Sequence, residues 1–116
     1  MSLRAQRVAE EIRRVISERL IRGFKTPFPS LVTISGVEVN ADLTQAKIFY
    51  SVFGEASDMV AARKILESEK RNMRQEVGRK IRLRLTPELF FVLDESAKEA
   101  ARISELLNAS VRPKDE

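Results

Sequence analysis

Arginine and lysine are the side chains in this sequence whose number and spacing can do chemistry, and the chemistry they offer is contact with phosphate. The 116 residues include no histidine and no cysteine, which removes the commonest general base, thiol nucleophiles, disulfides and the usual zinc ligand sets together. Carboxylates stand side by side at Glu10-Glu11 and Asp94-Glu95. Neighbours on a helix or strand diverge in direction, so these pairs read as solvated surface or caps rather than as an acid and its base. The four glycines are far apart, and there is neither a phosphate-cradling loop nor a metal-ligand spacing, so no cofactor and no catalysis are expected.

The cations are unevenly distributed. Net charge is +4, but residues 1–25 carry +4, residues 26–62 carry −3, residues 63–84 carry +6 and residues 85–116 carry −3. Basic blocks separated by acidic ones are the footprint expected when one surface of a folded domain docks on a phosphate backbone. No apolar run approaches the ~18 residues of a membrane span, and the N-terminus lacks a signal-peptide core. A soluble, cytoplasmic protein with no membrane partner is expected.

The richest basic block must be positioned by the stretch Met73–Asp94. Met73, Val77 and Ile81 recur at four-residue intervals and form one buried stripe of a helix. Arg71, Gln75, Arg79 and Arg82 fall within an arc of roughly 80° on the opposite side if the helix runs that far. Thr86-Pro87 is expected to end it, because proline has no N–H to donate and biases the preceding residue toward extended geometry. Leu89, Phe91 and Leu93, with Phe90 and Val92 between them, read as a strand covered on both faces or nearly so.

Before that block, residues Leu3 to Arg22 read as an amphipathic helix capped by Ser2, with Val8, Ile12, Val15, Ile16 and Leu20 inward and Gly23 at its end. Leu31 to Asn40 and Gln45 to Phe53 read as the strands of a hairpin. A change of parity around Gly36 implies either a bulge or cover on both sides. Ala46, Ile48, Tyr50 and Val52 share one face of the second strand. Phe49 and Phe53 share the other with Lys47, where packing against a helix is expected in preference to stacking on bases. Ala56 to Ser68 reads as a helix begun near Ser57 or Asp58. The apolar-free run Glu67-Ser68-Glu69-Lys70-Arg71-Asn72 predicts a kink before helix resumes by Met73, with Asn72 taking left-handed geometry. Ser96 can cap a last helix through Leu107, with Ala100, Ile103 and Leu107 inward. The reading is one domain over residues 1–108 and a polar tail over 109–116. Its fold class is α+β, with helices packed on one face of a three-stranded mixed sheet in the order α-β-β-α-α-β plus a C-terminal helix.

Several segments taken together resemble the bacterial ribosome-binding factor A family. They are Arg4-Ala5-Gln6-Arg7-Val8 with Ile12; Val32-Thr33-Ile34-Ser35-Gly36-Val37-Glu38-Val39 with Asp42-Leu43; Ala46-Lys47-Ile48 and Ser51-Val52-Phe53-Gly54; and Arg82-Leu83-Arg84-Leu85-Thr86-Pro87-Glu88-Leu89 with Phe91 and Asp94-Glu95-Ser96. The resemblance spans about residues 4–107. It implies a type II KH-like fold whose hairpin is joined by a third strand parallel to the first, with the first strand central. It also implies binding to the immature small (30S) ribosomal subunit and its 16S rRNA, help in late maturation including the 5′ end, support of growth in the cold, release aided by a GTPase, and a monomer. Two positions depart from the family pattern: Glu69-Lys70-Arg71 stands where Ala-x-Gly is usual at the kink, and Thr26-Pro27-Phe28 where Asp-Pro-Arg often precedes the first strand.

The expected RNA-binding residues are Arg71, Arg74, Arg79, Lys80, Arg82 and Arg84, joined by Lys70 and by Arg4 and Arg7 of the first helix. Arg84 projects near the apolar stripe, so its aliphatic stem could serve packing instead. The alternative reading is a small protein-interaction module whose basic face only keeps it in solution.

Overall fold

The computed structural model describes residues 2–95, which form α1 (Leu3–Arg22), β1 (Val32–Val39), β2 (Gln45–Val52), α2 (Ala56–Lys80) and β3 (Glu88–Leu93). The last helix expected from Ser96 and the polar tail lie outside the described residues.

α1 follows the spacing of its apolar residues: Ala5, Val8, Ile12, Val15, Ile16 and Leu20 are all buried. Ser2 Oγ accepts a hydrogen bond from the Ala5 N–H at 3.0 Å, as an N-cap should. At the other end Gly23 takes φ +83°, a conformation that costs a side-chain-bearing residue more than glycine.

β1 and β2 form an antiparallel hairpin, and its register slips between Ile34 and Gly36. That bulge resolves the parity change in the sequence: Val32 and Ile34 on one side of it and Val39 on the other reach the same core. The turn between the strands is built from side chains. Asn40 Oδ1 accepts from the Thr44 and Gln45 N–H groups, both at 2.9 Å, while Leu43 takes φ +61°. The two Asn40 bonds hold the chain in that left-handed step.

The sheet order is β1-β2-β3, with β3 parallel to β2. The second strand is therefore central, and the third runs parallel to the second and not to the first as the resemblance implied. A parallel neighbour requires a long crossover, and α2 supplies it. α1 packs principally on β1, and α2 lies against α1, β3 and β2, so both helices cover one face of the mixed sheet. Between these layers lie Ile12, Ile16, Ile48, Leu66, Met73, Val77 and Leu89, all fully buried.

Several expectations about the middle of the chain are corrected. The two helical stretches expected on either side of a kink run on as one 25-residue helix without interruption. Asn72 keeps helical geometry, Leu43 being the one non-glycine residue with positive φ among those described. Its side-chain amide donates to Glu69 Oε1 at 3.1 Å instead. The helix begins at Glu55, whose N–H donates to Asp58 Oδ2 at 2.9 Å, and it stops at Lys80, with Ile81 extended at φ −120°, ψ 125°. Thr86-Pro87 therefore does not end it. Arg82 and Arg84 lie in the connection 81–87, outside the helix. Phe53 falls beyond β2 and is 57% exposed, and Phe49 stays out of the core cluster, so neither packs beneath a helix as expected.

Candidate nucleic-acid interface

α2 presents two functional faces because its inner stripe is long. Ala62, Leu66, Met73 and Val77 are buried, which turns Lys64, Arg71, Gln75 and Arg79, all exposed, toward the opposite side. Lys64 was not anticipated. It stands seven residues before Arg71, a spacing legible in the sequence, but a kink at 67–72 would have taken it off that line. Uninterrupted helix puts it back.

The connection 81–87 folds against the flank of this outer face. A Cβ at Gly78 would lie 2.7 Å from Thr86 Oγ1, so only the absence of a side chain lets the connection pass so close. Arg74 fastens it from the neighbouring position: its Nε donates to the Pro87 carbonyl at 3.2 Å and its Nη2 to the Thr86 carbonyl at 2.8 Å. Ile81 is buried beneath. Arg82 and Arg84 are thereby held exposed beside α2 even though they are not part of it. Arg84 also faces Arg4 across a cleft of about 220 Å³, which Asp42, Thr44 and Leu83 help to line. The first turn of α1 thus meets the 81–87 connection.

The other expected residues are placed differently. Glu76 is buried, and it gathers Arg19 (Nε to Oε1, 3.4 Å), Arg22 and Lys80 (3.2 Å) around its carboxylate. Burial pushes its pKa up, but hydrogen bonds from Lys80 and Arg22 and their charges outweigh it, and the group ends below the ordinary glutamate value. Lys80 is therefore committed to a carboxylate of its own helix, and Arg19 and Arg22 tie α1 to α2 through the same group. Lys70 lies 3.4 Å from Glu67 and 5.6 Å from the centre of the Phe90 ring. Arg7 lines a shallow depression with Glu10 and Glu11, so acidic neighbours surround it. Among the described residues, Arg4, Arg71, Arg79, Arg82 and Arg84 make no ion pair or hydrogen bond, and their donors are available to a ligand. No group of three or more histidine, cysteine, aspartate or glutamate side chains that could hold a metal occurs among those residues, and no helix there is long and apolar enough to cross a membrane.

The chain is similar to relatives of known name. A protein of this name from Desulforamulus reducens, ribosome-binding factor A, is 44% identical over 108 residues, covering 93% of this chain and 90% of its own. A ribosome-binding factor A from Geobacter sulfurreducens is 38% identical over 104 residues, 90% of this chain and 88% of that one. The crystal structure of ribosome-binding factor A from Thermus thermophilus superposes with a TM-score of 0.66 at 20% identity, covering 77% of this chain and 94% of that one, a likeness of fold. The family model described as Ribosome-binding factor A matches residues 4–107, which takes in α1, the bulged hairpin, the whole of α2 and the arginine-bearing connection into β3. With that span and that identity, this chain is a member of the ribosome-binding factor A family.

Proposed function

We propose that this protein is a ribosome assembly factor that docks on 16S rRNA of the immature small subunit without catalysing a reaction. The docking surface consists of Arg71 and Arg79 on the outer face of α2, Arg82 and Arg84 in the 81–87 connection, and Arg4 at the start of α1, with Arg74, Lys70, Lys80 and Arg7 adding to the surrounding field. The observation that carries this reading is the set of exposed arginines that make no ion pair or hydrogen bond among the described residues. Guanidinium groups with free donors suit bidentate contact with phosphate oxygens. Contacts of that kind set position and affinity rather than sequence choice. A homology model of the Thermus thermophilus ribosome binding factor A, fitted into a cryo-EM map of its 30S complex, has a TM-score of 0.63 to this chain, which agrees with a KH-like body able to sit on that particle.

Family membership further supports a role in late maturation and 5′-end processing of 16S rRNA, in growth in the cold, and release by a GTPase, by a cytoplasmic monomer whose single domain extends to residue 108. Two measurements test the reading. Sedimentation of a lysate on a sucrose gradient should place the protein with free small subunits. In binding to purified small subunits, neutralising Arg79 and Arg82 together should flatten the slope of log affinity against log salt by about 1.5, since each phosphate contact contributes roughly 0.7–0.9. An unchanged slope would remove this surface from the interface.

A second reading, a protein-interaction module, draws on a different feature. A groove of about 560 Å³ beside the β1 edge is lined by Leu20, Ile21, Phe28, Leu31 and Val32, among others, and Ile21 is 85% exposed. Association that survives ribonuclease and moderate salt would favour it.

A further inference from the structure

β1 is an edge strand: the sheet order is β1-β2-β3, and among the described residues β1 pairs with β2 alone. Which of its backbone groups look outward follows from the ladder. The Phe53 N–H donates to the Leu31 carbonyl at 2.9 Å, and residues of an antiparallel pair alternate between bonded and non-bonded positions. Leu31 and Thr33 therefore turn their N–H and C=O toward β2, while Val32 and Ile34 turn theirs to the open side. The bulge between Ile34 and Gly36 ends that alternation.

An open edge is a template for another strand, and proteins commonly guard it with charge, proline or a bulge. Here Pro29 precedes the strand, and the bulge and Glu38 lie further on, but residues 30–35, Ser-Leu-Val-Thr-Ile-Ser, carry neither charge nor proline. The other edge strand, β3, has Glu88 at its start and Lys70 Nζ 5.6 Å from the Phe90 ring. Beside the unguarded stretch lies the groove of about 560 Å³ between β1 and the end of α1, and no charged side chain lines it. Leu20 and Phe28 are its more buried walls, while Ile21 and Leu31, 85% and 62% exposed, stand open to solvent. Glu18, Arg22 and Lys25 are close to it in the chain but do not line it, and Arg22 is held by Glu76.

Three kinds of occupant are to be compared. RNA would bring its phosphates to a wall without cations, and it has no amides at strand spacing to meet Val32 and Ile34. A second copy would pair its own β1 here about a two-fold axis normal to the sheet, which sets the two α1 helices side by side on one face. Each α1 carries six arginines and three glutamates, and like charge opposes that approach. An extended segment of a different protein meets neither objection.

We infer that the β1 edge takes up an extended segment of another protein as a fourth strand. Its backbone bonds to Val32 and Ile34, and its alternate apolar side chains continue their layer into the groove against Leu20, Ile21 and Phe28. This gives an occupant to the groove on which the protein-interaction reading rests. Arg4, Arg71, Arg79, Arg82 and Arg84 do not line it, so strand addition and RNA docking use separate surfaces.

The test uses the full-length chain, labelled for NMR, and a short capped peptide of alternating threonine and valine as probe. In the free protein the Val32 and Ile34 amide hydrogens should exchange much faster than that of Thr33, which faces β2. Adding the peptide should slow both and shift the signals of residues 31–35. The same peptide with alternate backbone nitrogens methylated keeps its side chains but loses its donors, and it should bind about tenfold more weakly or not at all. Ile21→Asp should weaken the unmodified peptide about tenfold as well, with the unfolding midpoint unchanged because the side chain is exposed. Arg79→Gln with Arg82→Gln, which probes RNA docking, should leave peptide binding as it is, so either reading can fail without the other. Equal binding of the methylated peptide, or an Ile21→Asp variant that binds normally, overturns the inference. Val32 and Ile34 amides that are already slow in the free protein do so too: at every concentration they show an edge closed by the chain itself, and at high concentration only, one closed by a second copy.

Discussion

Glu76 shows how one side chain divides the basic residues into those that hold the fold and those left for a ligand. Its carboxylate is 6% exposed and draws Arg19, Arg22 and Lys80 inward, which joins the end of α1 to the last turns of α2. Replacing it with glutamine leaves three cations near one another without an anion, and Glu76→Gln should cost about 1–3 kcal/mol at neutral pH, read by urea unfolding. The pH dependence has a definite sign. A carboxyl whose folded pKa lies below the ordinary 4.5 stabilises the protein fully above that value and loses this contribution as pH falls through the depressed one. Stability curves for the wild type and Glu76→Gln should therefore differ at pH 7 and converge as the pH is taken well below 4.5. Nothing in the sequence distinguished Glu76 from Glu67 or Glu69. Lys80 stands four residues on, but Arg19 and Arg22 lie more than fifty residues away on α1, and only packing brings them to it.

At the level of elements, the local signals were the legible ones. The limits of α1, its Ser2 cap and the burial of Met73 and Val77 follow from spacing and residue type and are as expected; the bulge at Gly36 is one of the two readings its parity change allowed, and Ile81 is buried but lies just past the helix. The end of α2 was not legible, because what stops the helix at Lys80 is the docking of the 81–87 connection on its flank. The run 67–72 suggested a break since it lacks apolar residues. A helix inserted between a sheet and solvent needs no inward residue in every turn, and the stripe on either side holds it continuous. Gly78 marks the contact. In an exposed helix Gly→Ala usually gains about 1 kcal/mol, but here the new methyl would meet Thr86 Oγ1 at 2.7 Å. Gly78→Ala should therefore gain nothing or destabilise in thermal unfolding. Gly78→Ala combined with Thr86→Ala should recover much of the expected gain, a coupling that a double-mutant cycle measures.

For the molecule as a whole, where the charges lie says more than net charge does. Exposed arginines run along α1 and α2 and through the 81–87 connection, with Glu10, Glu11, Glu18 and Glu67 among them, while Glu38 and Glu88 are exposed on the strands. Arg71→Gln and Arg79→Gln should weaken small-subunit binding at low salt and leave the unfolding midpoint within about 0.5 kcal/mol of wild type, as expected for surface positions without partners. Glu76→Gln should do the reverse, and binding measured alongside unfolding separates the two classes. The residue pattern and the family resemblance made the fold class readable in advance, though not which strand is central, and spacing alone marked the helix-borne cations. It did not show which cations are committed to carbonyls or carboxylates, since Arg74 and Lys80 differ from Arg71 and Arg79 only in what the folded chain sets beside them.

The parallel pairing of β3 with β2 has a temporal consequence. Everything that fastens the 81–87 connection, including the carbonyls that Arg74 grips and the strand that anchors Pro87, comes from residues near the end of the described chain. A nascent polypeptide emerging from its own ribosome can complete the hairpin and most of α2 while Arg82 and Arg84 still hang on a loose thread. In the proposed docking role, Arg82 and Arg84 therefore take their places only once β3 has paired with β2, later than the arginines that α2 carries.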